Sequence, residues 1–106
     1  MVATPGSPEE RLLEALHDVE DAELPLDVVD LGLIYGLRYR ASDRHVDIDM
    51  TFTAMGCPAM DFMIGDVRDR LLREPEVGSV NVEIVWDPPW DQSRMSEAAR
   101  LELGFG

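Results

Sequence analysis

The sequence predicts a two-layer α/β domain of the α+β kind, a three-stranded mixed sheet with helices on one face. Three observations carry that expectation. Val46, Ile48, Met50 and Phe52 alternate with Asp47, Asp49, Thr51 and Thr53, the pattern of a strand with one buried face. Met60, Met63, Ile64, Val67 and Leu71 then recur at helical spacing. A short turn, Met55-Gly56-Cys57-Pro58, lies between the two patterns, so a strand feeds directly into a helix.

The order of elements is helix, strand, strand, helix, strand, helix. Ser7-Pro8-Glu9-Glu10 has capping-box spacing and opens a first helix over about residues 8–20, with Leu12, Leu13, Leu16 and Val19 on its apolar stripe. His17 lies beside that stripe and is expected to be a helix-flank residue. Asp21-Ala22-Glu23-Leu24-Pro25 ends the helix. Asp30-Leu31-Gly32 leads into the first strand, with Leu33, Tyr35, Leu37 and Tyr39 expected on one face and Arg38 and Arg40 on the other. Ser42-Asp43-Arg44 turns the chain into the second strand. The second helix is expected over about residues 58–73 and the third strand has Val80, Val82, Ile84 and Trp86 inward. Pro88-Pro89 ends that strand, because proline cannot donate to a ladder. A last helix is expected over about residues 94–103, from Ser93 to Gly104.

With 106 residues and 45% apolar content, the chain can bury one modest core. Residues 1–7 are expected to be a flexible leader and 8–106 a single domain. A formal net charge of −13 opposes binding to a phosphate backbone or an anionic membrane, and no apolar run is long enough to span a bilayer. The expectation is therefore no nucleic acid, no membrane and a cytoplasmic location. One cysteine excludes an intrachain disulfide and a four-cysteine metal site within one chain.

That cysteine is the centre of the functional reading. Gly56 permits a sharp turn and Pro58 suits a first helical position, which makes Cys57 the expected N-cap of the second helix. A thiol there faces unpaired N–H groups and the positive end of the helix dipole, which favours thiolate. The alternative is a small buried residue filling a corner. Met55, Met60 and Met63 nearby are better read as core than as soft-metal ligands.

Topology gathers further residues around Cys57. A hairpin of the first two strands brings Asp30 to the end of the second strand, near Thr53 and Cys57. A third strand parallel to the second delivers Trp86-Asp87-Pro88-Pro89-Trp90 to the same edge, where Asp21, Glu23 and Thr51 are also expected. His45 is at the other end of the strand, more than about 20 Å away at roughly 3.3 Å per residue. Each residue also has a purely structural role open to it: a solvated helix end for Asp21 and Glu23, strand residues for Thr51 and Thr53, a core cover for Trp86 and Trp90.

Asp30-Leu31-Gly32-Leu33-Ile34-Tyr35, Met50-Thr51-Phe52-Thr53 with Gly56-Cys57-Pro58, Trp86-Asp87-Pro88-Pro89-Trp90 and Met95-Ser96 occur in order and at matching separations. With them the chain resembles, from about Leu12 to Phe105, the small iron-sulfur cluster assembly family that includes the bacterial SufT and PaaD proteins. The resemblance implies an accessory factor in iron-sulfur protein maturation that delivers or helps insert clusters, not a turnover enzyme. It makes Cys57 the functional residue and a ligand for a transient cluster or iron, alone or shared between subunits. Asp21, Glu23, Asp30, Thr51 and Thr53 would support it, with Trp86, Pro88, Pro89 and Trp90 as a loop over the site. Ala22 stands where the family usually has a proline between the two acids, which loosens the placement of Glu23. PaaD-type chains often carry a cysteine-rich tail, absent here, so the likeness is to the stand-alone SufT type. The partners implied are client or carrier proteins. One thiolate cannot fill the ligand positions of a two-iron cluster, so a homodimer is expected to supply the second. The competing classes are an adaptor subunit with a structural cysteine and a cysteine-nucleophile enzyme, the latter without a well-placed histidine base.

Overall fold

The computed structural model describes residues 5–21, 26–52, 60–102 and 104. Its order is α1 (Pro8–Ala15), a 3-10 turn (Leu16–Asp18), β1 (Ile34–Arg40), β2 (His45–Met50), α2 (Met60–Leu72), β3 (Ser79–Ile84), a 3-10 turn (Gln92–Arg94) and α3 (Glu97–Glu102). This is the expected α+β order. The sheet order is β1-β2-β3, with β1 antiparallel and β3 parallel to the central β2. No helix among the described residues is long and apolar enough to cross a membrane.

The central strand follows its sequence pattern. Val46, Ile48 and Met50 are buried and Asp47 and Asp49 lie on the opposite, polar face. Across that face Arg38 donates to both oxygens of Asp49, at 2.9 and 3.1 Å. Met63, Val67 and Leu71 of α2 are buried in the same cluster as Leu12, Leu16, Leu33 and Leu37. Each such side chain, fully withdrawn from water, contributes roughly 1.5–3 kcal/mol. α1 packs on β1 and α2 on β3, and the two helices meet.

Four expectations are corrected. The first helix does not run to residue 20: the α-helix ends at Ala15 and tightens into the 3-10 turn. The chain must then reverse, because Glu20 bridges Asp27 and the Asp21 N–H donates to the Leu26 carbonyl at 2.9 Å. Tyr35 does not share the inner face with Leu37. Ile34 pairs with Met50 and Gly36 with Asp49, so Tyr35 is the extra residue of a bulge, and Ile34 is buried in its place. Trp86 lies beyond the end of β3 and is exposed. The last helix starts at Glu97, where the Ser96 hydroxyl accepts from the Ala99 N–H at 3.1 Å; Ser93 lies in the preceding 3-10 turn. At the first helix the expected cap is present, with the Ser7 hydroxyl accepting from the Glu10 N–H at 3.2 Å.

Candidate functional site

The end of the sheet at which β2 finishes is assembled from three distant segments. The Thr51 N–H donates to the Leu33 carbonyl at 2.8 Å and the Val85 N–H to the Met50 carbonyl at 2.9 Å, so both neighbouring strands remain paired with the centre up to this edge. The Phe52 and Trp86 rings lie 6.3 Å apart, centroid to centroid. Here the chain passes into residues 53–59 and re-emerges at Met60 in α2. Cys57, Thr53 and Glu23, with the expected helix start at Pro58, lie outside the described residues. Asp21 is half-buried just after the first helical segment.

Thr51 is fully buried, and its hydroxyl has no hydrogen-bond partner among the described residues. An unpaired buried hydroxyl costs about 1–3 kcal/mol.

The turn before β1 is locked from both sides. Asp27 Oδ1 accepts from the Val29 and Asp30 N–H groups at 2.9 and 2.8 Å, which caps a single helical turn. The Asp30 carbonyl accepts from the Ser96 N–H at 2.8 Å, and the Leu31 carbonyl from Trp90 Nε1 at 2.7 Å. Gly32 has φ +76° and lies so close to the later segment that a Cβ there would stand 2.1 Å from the Arg94 carbonyl oxygen. The bulge adds a further clasp: Tyr35 Oη donates to the Pro88 carbonyl at 2.9 Å, and the Arg94 guanidinium lies 4.6 Å from the Tyr35 ring centre. Trp86, Pro88 and Pro89 are thus exposed on a loop tied to β1 and to the turn before it, while Trp90 is half-buried against the core.

Asp30 does not face this edge alone. It belongs to a cluster with Asp27 and with His17, whose Nδ1 is 3.2 Å from Asp27 Oδ1 and 3.8 Å from Asp30 Oδ2. Burial, with the adjoining Asp27 carboxyl, raises Asp30 above the ordinary carboxylate range. His17 is therefore more than a helix-flank residue. The available sequence signal was the Asp27-Val28-Val29-Asp30 spacing, which turns two carboxylates to one side of a capped turn; the approach of His17 required the chain reversal at residues 20–27.

Fold and site together define a small α+β domain in which hydrogen bonds form a seam between the segments 27–35 and 86–96. Residues 9–84 match the family model described as iron-sulfur cluster assembly protein, and the chain belongs to that family. It is 44% identical over 97 residues to the Fe-S protein maturation auxiliary factor of Porphyromonas gingivalis, covering 92% of this chain and 91% of that one. The Bacillus subtilis Fe-S protein maturation auxiliary factor YitW is 41% identical over 96 residues, covering 91% and 93%. A crystal structure of a domain of unknown function, DUF59, from Bacillus anthracis superposes with a TM-score of 0.86 at 38% identity, covering 92% of each chain.

Proposed function

We propose that this protein is an auxiliary factor in iron-sulfur protein maturation, and that it helps deliver or insert clusters through Cys57. The observation that carries the reading is the likeness, over more than nine-tenths of the chain, to proteins named as maturation auxiliary factors. The geometry supports it in kind. The buried Thr51 hydroxyl, without a partner among the described residues, stands at the edge from which the chain enters the cysteine segment, and the clasped Trp86–Trp90 loop offers an exposed surface at the end of the parallel strand.

In this reading the cluster, or its iron, is cargo. Cys57 as thiolate bonds iron or exchanges with a ligand of the carrier, and Asp21 and Glu23 tune that exchange by charge. Partners are client or carrier proteins. A homodimer would supply a second thiolate, and oxidative crosslinking through Cys57 probes whether the two cysteines come together. No small metabolite is turned over.

The test is maturation of an iron-sulfur client enzyme with wild type, Cys57→Ser and the double variant Asp21→Asn/Glu23→Gln. Cys57→Ser is expected to lose activity with an unchanged far-ultraviolet dichroism spectrum, and the double variant to lose less. If Cys57→Ser matures the client as well as wild type, the thiol is not the working group, and an adaptor role through the Trp86–Trp90 loop replaces this reading.

A further inference from the structure

Of the side-chain cluster on the turn before β1, the maturation reading uses only Asp30, as a residue supporting Cys57. His17 from the 3-10 turn after α1, and Asp27 and Asp30 from the capped turn, each place one donor atom within 4.8 Å of the other two. All three are half-buried. Two carboxylates converging on one spot repel each other, and removal from water strengthens that repulsion. Elsewhere in the protein acidic side chains are answered by arginine: Asp49 by Arg38, Asp43 by Arg40, Asp18 by Arg70 and Glu76 by Arg11. Among the described residues Asp27 and Asp30 have no Lys or Arg partner: the nearest cationic group is the imidazole, and Asp27 Oδ1 otherwise accepts from two backbone N–H groups.

We propose that His17 Nδ1, Asp27 and Asp30 bind a first-row divalent transition-metal ion. With a neutral imidazole, the two carboxylates supply a charge that a divalent ion cancels. One imidazole nitrogen with carboxylate oxygens suits ions such as iron(II), manganese(II), cobalt(II) or zinc(II), whereas magnesium and calcium prefer an all-oxygen shell. The spacing is also right. Metal–ligand bonds of about 2.1 Å put the donor atoms of a tetrahedral site about 3.4 Å apart. Two of the three separations, 3.2 and 3.8 Å from His17 Nδ1, bracket that value, and all three donors lie within 4.8 Å of one another.

The surroundings hold the donors in place. The Val29 and Asp30 N–H groups fix the Asp27 carboxylate, and the Ser96 N–H fixes the Asp30 backbone, an outer shell of the sort that orients metal ligands. Three protein ligands leave the remaining coordination positions to water or to an incoming ligand. A net charge of −13 raises the local concentration of any cation.

The test uses the full chain in wild-type and Cys57→Ser forms, stripped with chelator and titrated with cobalt(II) while ligand-field absorption is followed. The serine form removes the thiol as a competing ligand. One saturable cobalt(II) per chain is expected in both forms, weakened at least about ten-fold by His17→Gln or by Asp27→Asn, the latter keeping an oxygen to cap the turn. A large excess of magnesium should not displace it. No saturable binding, binding unchanged in His17→Gln, or equal competition by magnesium would each overturn the proposal. An independent readout needs no substitution: manganese(II) should broaden the ring signals of His17 and spare those of His45, and equal effects on the two rings would count against the site. Client maturation plays no part in these measurements, so their failure and the failure of the maturation reading are distinguishable.

Discussion

Replacing Gly32 by alanine tests whether the seam between the turn before β1 and the Trp90–Ser96 segment holds the domain's functional end together. Gly32 has φ +76°, where an L side chain costs about 1–2 kcal/mol. The new methyl would also stand 2.1 Å from the Arg94 carbonyl oxygen, 2.6 Å from its carbonyl carbon and 2.8 Å from its Cβ, and two of those atoms are backbone. Relief requires the segments to part by roughly an ångström, which breaks the bonds from Ser96 N–H to Asp30 and from Trp90 Nε1 to Leu31. At about 1 kcal/mol each, they bring the expected loss to about 3–4 kcal/mol, against a total of roughly 5–15 for a domain. Urea unfolding followed by far-ultraviolet dichroism measures it. Gly104→Ala is the control, since Gly104 has φ +81° but nothing within 4 Å of the added carbon. It should lose no more than about 1–2 kcal/mol, because only the backbone strain applies. If Gly32→Ala is no worse than Gly104→Ala, the close approach at Arg94 is absent in solution and the seam argument fails.

Thr51→Val removes a fully buried hydroxyl that has no partner among the described residues, so it should leave stability unchanged or raise it by about 1 kcal/mol. A clear loss in urea unfolding would mean that the hydroxyl is bonded. Asp49→Asn should lower stability at neutral pH by about 1 kcal/mol, given its two-pronged pairing with Arg38. The hydrogen bonds from Arg38 hold the Asp49 pKa below the ordinary carboxylate value, so this contribution is fully present above the unfolded-state value and is lost as pH falls through the lower folded-state one. Thermal unfolding of wild type and Asp49→Asn should therefore converge in acid; a difference that persists there would show that the pair's charge is not its source.

The sheet was legible because β2 and α2 write their environments in two clean periods. Val46, Ile48 and Met50 could only face a core, and a helix as long as α2 could only return the chain parallel to β2. β1 was less legible. Leu33, Ile34, Tyr35, Leu37 and Tyr39 are consistent with more than one register, and only pairing with Met50 and Asp49 selected the bulge that removes Tyr35 from the inner face. The end of α1 differed for a similar reason: apolar spacing continues past Ala15, but the bridge between Glu20 and Asp27 turns the chain back.

The sequence by itself was enough for the expectation that its singular residues gather at one sheet end, since chain connectivity and strand direction suffice to frame it. Cys57, with the motifs around it, was also enough to indicate the family to which the chain belongs. Tertiary structure alone decided what touches what there. Trp90 reaches Leu31 across 59 positions of chain, Tyr35 reaches Pro88 across 53, and His17 meets Asp27 and Asp30 only because the intervening segment doubles back. Such contacts depend on where a rigid core places separate loops in space, and no local period in the sequence records that distance.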